Sequence, residues 1–348
     1  MAAYKHLILT SPPDDSTIAA WNDCLDNSEF AGLYVTSDFL RVLYFKDQRP
    51  FAVLAVSDGV VHGVVTGVVG DRDIECGHSG SPQICLRRGS SPEAVGEVLA
   101  EGLRRQVLPS TEFIGAFAWT EVTGLQAAGF RPRRFEVPWG TIVLDLSKGA
   151  DALFKEFSAR RRYNVRHAIK AGVAIEEMNI DRDFDEYYAL YSQWSDFKSQ
   201  TLRPYQIQKE VFASGGNRLL LVARHKGRIV GVSTFRYRRP GIMEYTSNVS
   251  RREDSSLKQN DLLVWRAIEW SVQQKDFSHF SMTGAHYFLQ AFGGQQRPTV
   301  RYSLDLTTFR RRDLAQSARD TALAVYRALP EPAKRGLKKM LGGSGGAE

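Results

Sequence analysis

One loop of the sequence, residues 250–260, gathers side chains that bind anionic groups. They supply positive charge and hydrogen-bonding groups: Arg251, Arg252, Ser255, Ser256, Lys258 and Asn260. The loop leads into a predicted helix over 261–274 with Asn260 as its N-cap, where free N–H groups and the helix dipole favour phosphate. We therefore predict that these residues bind a phosphate-bearing donor. The loop contains no glycine, which makes a ring of backbone N–H groups harder to form, so a loop that binds nothing is the alternative.

A second basic group lies on a predicted helix over 151–171. Three consecutive arginines, 160–162, are followed by Arg166 and Lys170 at helical spacing, so that Arg162, Arg166 and Lys170 share one face. Such a stripe suits a phosphate or sugar-nucleotide acceptor. A solvated helix face without a ligand is the alternative.

The charge of the chain is unevenly distributed. The net charge of +7 is the sum of −5 over residues 1–150, +7 over 151–308 and +5 over 309–348. This asymmetry predicts that an anionic ligand binds the second half of the chain. A protein that binds nucleic acid over a whole face is usually more basic than this.

Length and composition exclude several classes of protein. The 348 residues suit two domains, and 43% apolar with 24% charged residues excludes a disordered or fibrous chain. No apolar run is long enough to span a bilayer, and the first residues lack the pattern of a signal peptide. Three cysteines without paired spacing predict reduced thiols and no metal site. We therefore expect a cytoplasmic protein.

The sequence also repeats itself. Residues 51–63 and 218–231 both read as strand, tight turn and strand, and their turn glycines, Gly59 and Gly227, lie 168 positions apart. Two further pairs of similar segments follow in the same order: 124–132 with 288–298, and 144–146 with 304–306. We infer a duplicated α/β unit, with a first half over 1–149, a second half over 150–308 and a basic helical tail over 309–348.

Three stretches of the second half resemble known families. Residues 160–173 (RRRYNVRHAIKAGV), 260–270 (NDLLVWRAIEW) and 288–294 (FLQAFGG) resemble segments of the Fem-type peptidyltransferases and the CelD-like acetyltransferase group. Both groups have a tandem GNAT fold. The resemblance implies an α/β protein with two GNAT-like domains, each a mixed twisted sheet flanked by helices, the first copy being degenerate.

The resemblance also implies an acyl transfer from acyl-CoA, such as acetyl-CoA, to an amine. Glu244 is then the first candidate for the general base, Tyr245 for a proton donor, and His286 for a group that titrates near neutrality. Asn164, Phe288 and Phe292 join the basic stripe as candidates for binding the acceptor. A solvent-facing glutamate, a core tyrosine and a surface histidine are the respective alternatives.

The resemblance leaves the substrate open. A sugar or a cell-envelope or polysaccharide precursor is the acceptor it implies. Leu289 stands where the Fem signature has lysine, which weighs against the alternative of a peptidyltransferase that uses aminoacyl-tRNA. A catalytically silent binding module is the third interpretation. The basic tail suits either contact with the inner face of the membrane or docking on the body of the protein.

Overall fold

A computed structural model describes residues 4–41, 48–135, 140–213, 216–315 and 318. The first half holds nine strands and three helices among its described residues: β1 (Lys5–Leu9), α1 (Asp15–Asp26), β2 (Arg49–Ser57), β3 (Val60–Val69), β4 (Asp73–His78), β5 (Ser81–Pro82), β6 (Ile84–Leu86), α2 (Pro92–Arg104), β7 (Phe113–Ala118), α3 (Thr123–Ala127), β8 (Arg131–Phe135) and β9 (Thr141–Asp145).

The second half continues with six helices and seven strands in its described part. They are α4 (Ala150–Glu156), α5 (Ala159–Lys170), β10 (Ala174–Glu177), α6 (Ile180–Lys198), α7 (Tyr205–Ala213), β11 (Arg218–His225), β12 (Arg228–Tyr237), β13 (Gly241–Ser250), α8 (Gln259–Gln274), β14 (Phe277–Ser281), α9 (Tyr287–Gln290), β15 (Gln295–Arg297) and β16 (Thr299–Asp305).

The strands form two mixed sheets of the same design. The main path of the first is β1-β2-β3-β4-β7-β16-β8, and the second is β10-β11-β12-β13-β14-β9-β15. Each sheet contains one matching parallel pair, β4 with β7 and β13 with β14, and its other pairs along the path are antiparallel. The fold is therefore two copies of one α/β unit, as the repeats in the sequence predicted.

The repeated hairpins match in detail. Asp58-Gly59 and Lys226-Gly227 connect their strands with positive φ at both positions, the signature of a type I′ turn. A β-bulge follows each turn: His62 is the extra residue in β3, opposite Ala55 and Val56, and Val230 is the extra residue in β12, opposite Ala223 and Arg224. The bulges lie at the same 168-residue offset as the turn glycines, so the duplication extends to local irregularities.

The two sheets exchange one strand. β9 belongs to the first half by sequence but pairs with β14 and β15 in the second sheet, and β16 inserts between β7 and β8 in the first. The boundary near residue 149 remains a proposal about the duplication, because the hydrogen bonds of the sheets cross it in both directions.

Apolar side chains fill both faces of the second sheet. α5 and α8 pack on one face through residues such as Val165, Leu263 and Trp265, and α6 and α7 pack on the other through Phe184 and Phe212. The three cysteines are buried and unpaired with one another, as free thiols. No described helix has the length and apolar character needed to cross a bilayer.

Two local predictions need correction, and a third lies mostly outside the described residues. The helix predicted over 151–171 is broken, because Ser158 caps a new helix by accepting a hydrogen bond from the Arg161 N–H. Asn260 is not an N-cap, since α8 begins at Gln259 and Lys258 occupies the cap position. The tail is described over a 3₁₀ turn (Thr308–Arg310), a short helical segment over 311–315 and residue 318, and the rest of the predicted tail helices lies outside the described residues.

Candidate active site

The second sheet opens at the end of its parallel pair. β13 and β14 are hydrogen-bonded only from Gly241 to Glu244, where Glu244 lies opposite Ser281. Beyond this point β13 continues to Ser250, and a bulge makes Thr246 an extra residue relative to β12. The backbone of β13 from Tyr245 onward therefore has no strand partner on the β14 side among the described strands.

The open end of β13 leads to the N-terminus of α8. Lys258, directly before the helix, has φ +57°, a left-handed conformation that glycine usually provides. Its side chain does not cap the helix. In the first turn of this 16-residue helix the Asp261 N–H donates to the Lys258 carbonyl, and the N–H groups before it are available to a ligand. The missing glycine does not prevent the turn.

A cleft of about 800 Å³ surrounds this helix end. It brings the loop 250–260 together with the first turns of α5 and with Phe288. Five cations and two carboxylates line it, so it suits an anion: Arg160, Arg161, Arg251, Arg252, Lys258, Glu253 and Asp261.

Arg161 connects the two sides of the cleft. Its guanidinium donates to Asp261 Oδ1 at 2.8 Å and lies 4.0 Å from the centre of the Phe288 ring. Asn164 Nδ2 donates to the other oxygen of Asp261 at 3.3 Å. Arg161 belongs to the arginine run of the predicted stripe but was not among the predicted acceptor residues, although the buried positions 161, 164, 165 and 168 follow the helical spacing of a packed face.

Three residues of the cleft hold buried polar atoms without a partner in the protein. These are Arg161 Nε, Gln259 Oε1 and Asn260 Oδ1. Gln259 is only 2% exposed, and an unsatisfied buried polar group costs about 1–3 kcal/mol. Such a cluster at a helix N-terminus fits a site that a polar, phosphate-bearing ligand completes.

The predicted donor residues are not equivalent. Arg251 is tied down, since its Nε donates to the Ile229 carbonyl at 2.9 Å and its guanidinium pairs with Glu186 at 3.5 Å. Arg252 stacks on Phe197. Lys258, Ser255 and Asn260 line the cleft, whereas Ser256 is exposed beside it.

The predicted acceptor residues separate into two groups. Asn164 and Phe288 line the cleft. Arg162 and Arg166 line a different pocket of about 430 Å³ beside Phe154. Lys170 is exposed at the end of α5, and Phe292 is fully buried, so the geometry does not bring this group of four to the cleft.

Glu244 occupies the point where the strands part, but it is paired and buried. It is 1% exposed, accepts hydrogen bonds from Arg236 Nε at 2.9 Å and Ser81 Oγ at 2.6 Å, and thereby joins the two halves. Burial alone would raise the pKa of Glu244, but the charge and hydrogen bonds of Arg236 hold it below its ordinary value. A carboxylate held in this way is a poor general base, and the role predicted for Glu244 is not supported by the geometry.

Tyr245 lies on β13 where the opening begins, and His286 lies in the segment that leads from β14 into α9. Burial raises the pKa of Tyr245, which packs against Phe235 and therefore keeps its proton. His286 is exposed before α9, beside Phe288, and partial burial and the charge of Arg161 lower its pKa. At neutral pH this imidazole is uncharged and able to accept a proton.

The sequence of the second half matches a known family model. Residues 159–291 match the model of the acetyltransferase (GNAT) domain. Over this stretch the chain is similar to a GNAT domain. It contains α5, the parting strands and the N-terminus of α8, which are the elements that build the cleft. No curated protein matches the chain significantly in sequence.

Solved structures extend the likeness to both halves. FemX aligns with a TM-score of 0.61 at 13% identity, covering 86% of this chain and 97% of its own. A tandem GNAT protein from the clavulanic acid biosynthesis pathway aligns with a TM-score of 0.59 at 15% identity, covering 88% and 99%. The C-terminal DUF2156 domain of a protein named as a lysylphosphatidylglycerol synthetase, from Agrobacterium fabrum, gives 0.56 at 11%, covering 88% and 96%. The tandem GNAT fold is thereby confirmed.

The backbone of the Fem-like segment 288–294 requires its two glycines. Gly293 and Gly294 have positive φ, and a Cβ on Gly294 would lie 2.6 Å from the Val143 carbonyl oxygen in β9. Leu289 is 3% exposed within the core. The position that carries lysine in the Fem signature is therefore an apolar packing position here. Among the described residues, no group of His, Cys, Asp or Glu could hold a metal ion.

Proposed function

We propose that the protein is an N-acyltransferase whose second half binds an acyl-CoA and transfers its acyl group to an amine. One observation carries the proposal: β13 connects two features. One is an anion cleft at an uncapped helix N-terminus, and the other is a gap between two parting strands. An acyl-CoA has the matching shape: a pyrophosphate at one end, a chain of amides and a thioester.

The donor has a defined path in this geometry. Its phosphates suit the N–H groups of α8, with Arg160 and Lys258 beside them. The amides of its pantetheine arm suit the free backbone edge of β13, as an added strand would. The thioester then reaches the opening beside Tyr245.

The chemistry needs no covalent enzyme intermediate. The amine nitrogen forms a bond to the thioester carbon, the C–S bond breaks, and the thiolate leaves with a proton. We assign His286 as the group that accepts the amine proton, since it is uncharged near neutrality and lies close to the cleft. Tyr245, which keeps its proton, is the candidate for the donor to the leaving thiolate.

The acceptor is proposed by resemblance. A sugar amine or a cell-envelope or polysaccharide precursor fits the Fem-type and CelD-like groups, and the cations outside the donor path suit an acidic acceptor. We place the protein in the cytoplasm, where acyl-CoA is supplied. Contact of its basic tail with the membrane remains a further proposal.

Isothermal titration with acetyl-CoA and with free CoA tests the donor site. We expect binding of both, and a double variant Arg160→Ala/Lys258→Ala that weakens both at least tenfold, because hydrogen bonds to charged groups contribute about 1.5–3 kcal/mol each. The matched control, Arg266→Ala/Lys275→Ala, removes two cations from other parts of α8 and its C-terminal cap and should bind as the wild type does.

Two other outcomes would replace the proposal. Absence of binding to either CoA species, together with RNase-sensitive retention of tRNA, would favour an aminoacyl-tRNA-dependent transferase. Binding of CoA without turnover on any amine of a broad panel would favour a silent binding module.

A further inference from the structure

The first half reaches into the opening between β13 and β14. The turn over 78–81, between β4 and β5, contacts Glu244, the last paired residue of β13, and Thr283, two residues after the end of β14. Ser81 Oγ donates to Glu244 Oε1 at 2.6 Å and accepts from Arg236 Nη2 at 2.5 Å. On the other side, the backbone of Gly80 contacts Thr283, which follows β14.

The contact leaves no space at this point. A Cβ added to Gly80 would overlap the carbonyl group of Thr283. Thr283 itself spans the gap, because its hydroxyl donates to the Tyr245 carbonyl. Ser81 is 4% exposed and Ser281, on the strand behind it, is 1% exposed.

We propose that the turn over 78–81 forms the end wall of the acyl slot in the second half, so that Gly80 and Ser81 determine the length of the acyl group. This inference rests on the proposed function. The slot enters between β13 and β14 and ends where the turn, Thr283 and the Glu244–Arg236 pair close it. Donors with short acyl groups therefore fit, and long acyl chains collide with the wall.

The first half thus contributes to specificity in the second half without binding a donor of its own. Gly80 is the residue on which the wall depends, since any side chain there must displace the turn from Thr283. Ser81 holds the turn in place through Glu244. Both act on the acyl end only, because the phosphate end lies at the other end of β13, at α8.

The test compares the affinities of free CoA, acetyl-CoA and octanoyl-CoA, measured by isothermal titration with the full chain. In the wild type we expect octanoyl-CoA to bind at least tenfold more weakly than acetyl-CoA. In Gly80→Ala we expect this ratio to fall below threefold while the affinity for free CoA stays within twofold. Ser81→Ala, which keeps the fold with a smaller perturbation, should change the ratio in the same direction.

A matched control separates the wall from general destabilisation. Gly63→Ala introduces a Cβ 2.4 Å from Val95 Cγ1 in the core of the first half, away from the turn, and should leave the ratio unchanged. The inference is wrong if octanoyl-CoA binds the wild type more tightly than acetyl-CoA, as about fourfold per buried methylene would predict for an open channel. It is also wrong if Gly80→Ala and Ser81→Ala keep the wild-type ratio. If free CoA does not bind at all, the proposed function fails and the wall fails with it.

Discussion

Glu244 and Arg236 form a buried ion pair at the contact between the halves. The guanidinium of Arg236 also lies 3.6 Å from the centre of the Tyr34 ring, which belongs to the first half. Gly32 leaves space for the carboxylate, since a Cβ there would lie 2.6 Å from Glu244 Oε2. Each member of the pair is satisfied by several partners, so removing one leaves the other charged and isolated in the interior.

We therefore predict that Glu244→Ala lowers the free energy of unfolding by about 3–5 kcal/mol, because Arg236 is left buried without a counter-charge. Urea unfolding followed by circular dichroism measures this. Glu269→Ala, which breaks an exposed pair with Arg266, is the control and should cost about 1 kcal/mol or less.

The same variant should change the pH dependence of stability. The folded-state pKa of Glu244 is below its ordinary value of 4.5, so its contribution is complete above that pH and is lost as pH falls through the folded-state pKa. The stability of Glu244→Ala should accordingly fall less steeply than that of the wild type below pH 4.5. Equal acid sensitivity of the two proteins would contradict this explanation.

The two hairpin turns have the same backbone conformation in both halves. Gly59 and Gly227 have φ +77° and +81°, and a Cβ at either would meet no atom within 4 Å. The cost of a side chain at these turns therefore comes from the backbone alone.

Gly59→Ala and Gly227→Ala should each lower the stability by about 1–2 kcal/mol, and by equal amounts, because a left-handed alanine is strained. Thermal and urea unfolding of the two variants measure the costs. Gly216→Ala, also in open space but without a positive φ, is the control and should be neutral or slightly stabilising. Clearly unequal costs in the two hairpins would show that the turns are not equivalent.

Elements with local signals could be predicted from the sequence. The hairpins follow from Asp58-Gly59 and Lys226-Gly227, and α8 follows from its apolar periodicity, although the cap was placed two residues late. Strand exchange could not be predicted, because alternation gives the faces of a strand and does not specify the sheet it joins.

The candidate site was predictable only in part. Charge and the helix end indicated the anion cleft. The predicted donor residues Lys258, Ser255 and Asn260 line it, and so do the predicted acceptor residues Asn164 and Phe288. Burial of Glu244 was not predictable, because its partner Ser81 comes from the other half, 163 positions earlier. Long-range contacts of this kind leave no trace in local periodicity.

At the scale of the whole molecule, the exchanged strands make the halves interdependent. A fragment over 1–149 lacks β16, so β7 and β8 lose the strand between them, and a fragment over 150–348 lacks β9, which separates β14 from β15. Open strand edges of this kind favour aggregation.

We predict that either fragment alone is insoluble or lacks a cooperative transition, whereas the intact chain unfolds in one transition. Differential scanning calorimetry of the full chain and separate expression of the two fragments measure this. Coexpression of both fragments is the control and should recover a soluble complex. A fragment over 1–149 that folds cooperatively by itself would show that the exchange is dispensable.

The exchange also constrains how the protein is made. β16 is translated long after β8, its neighbour in the first sheet, by roughly ten to thirty seconds at about 5–20 residues per second. Until then β8 has no neighbouring strand in the main path of the first sheet, and β9 has no second sheet to join. Both sheets therefore stay incomplete until β15 and β16 have been translated, and they are completed almost together. Their open strand edges must be kept from pairing with other strands during that interval.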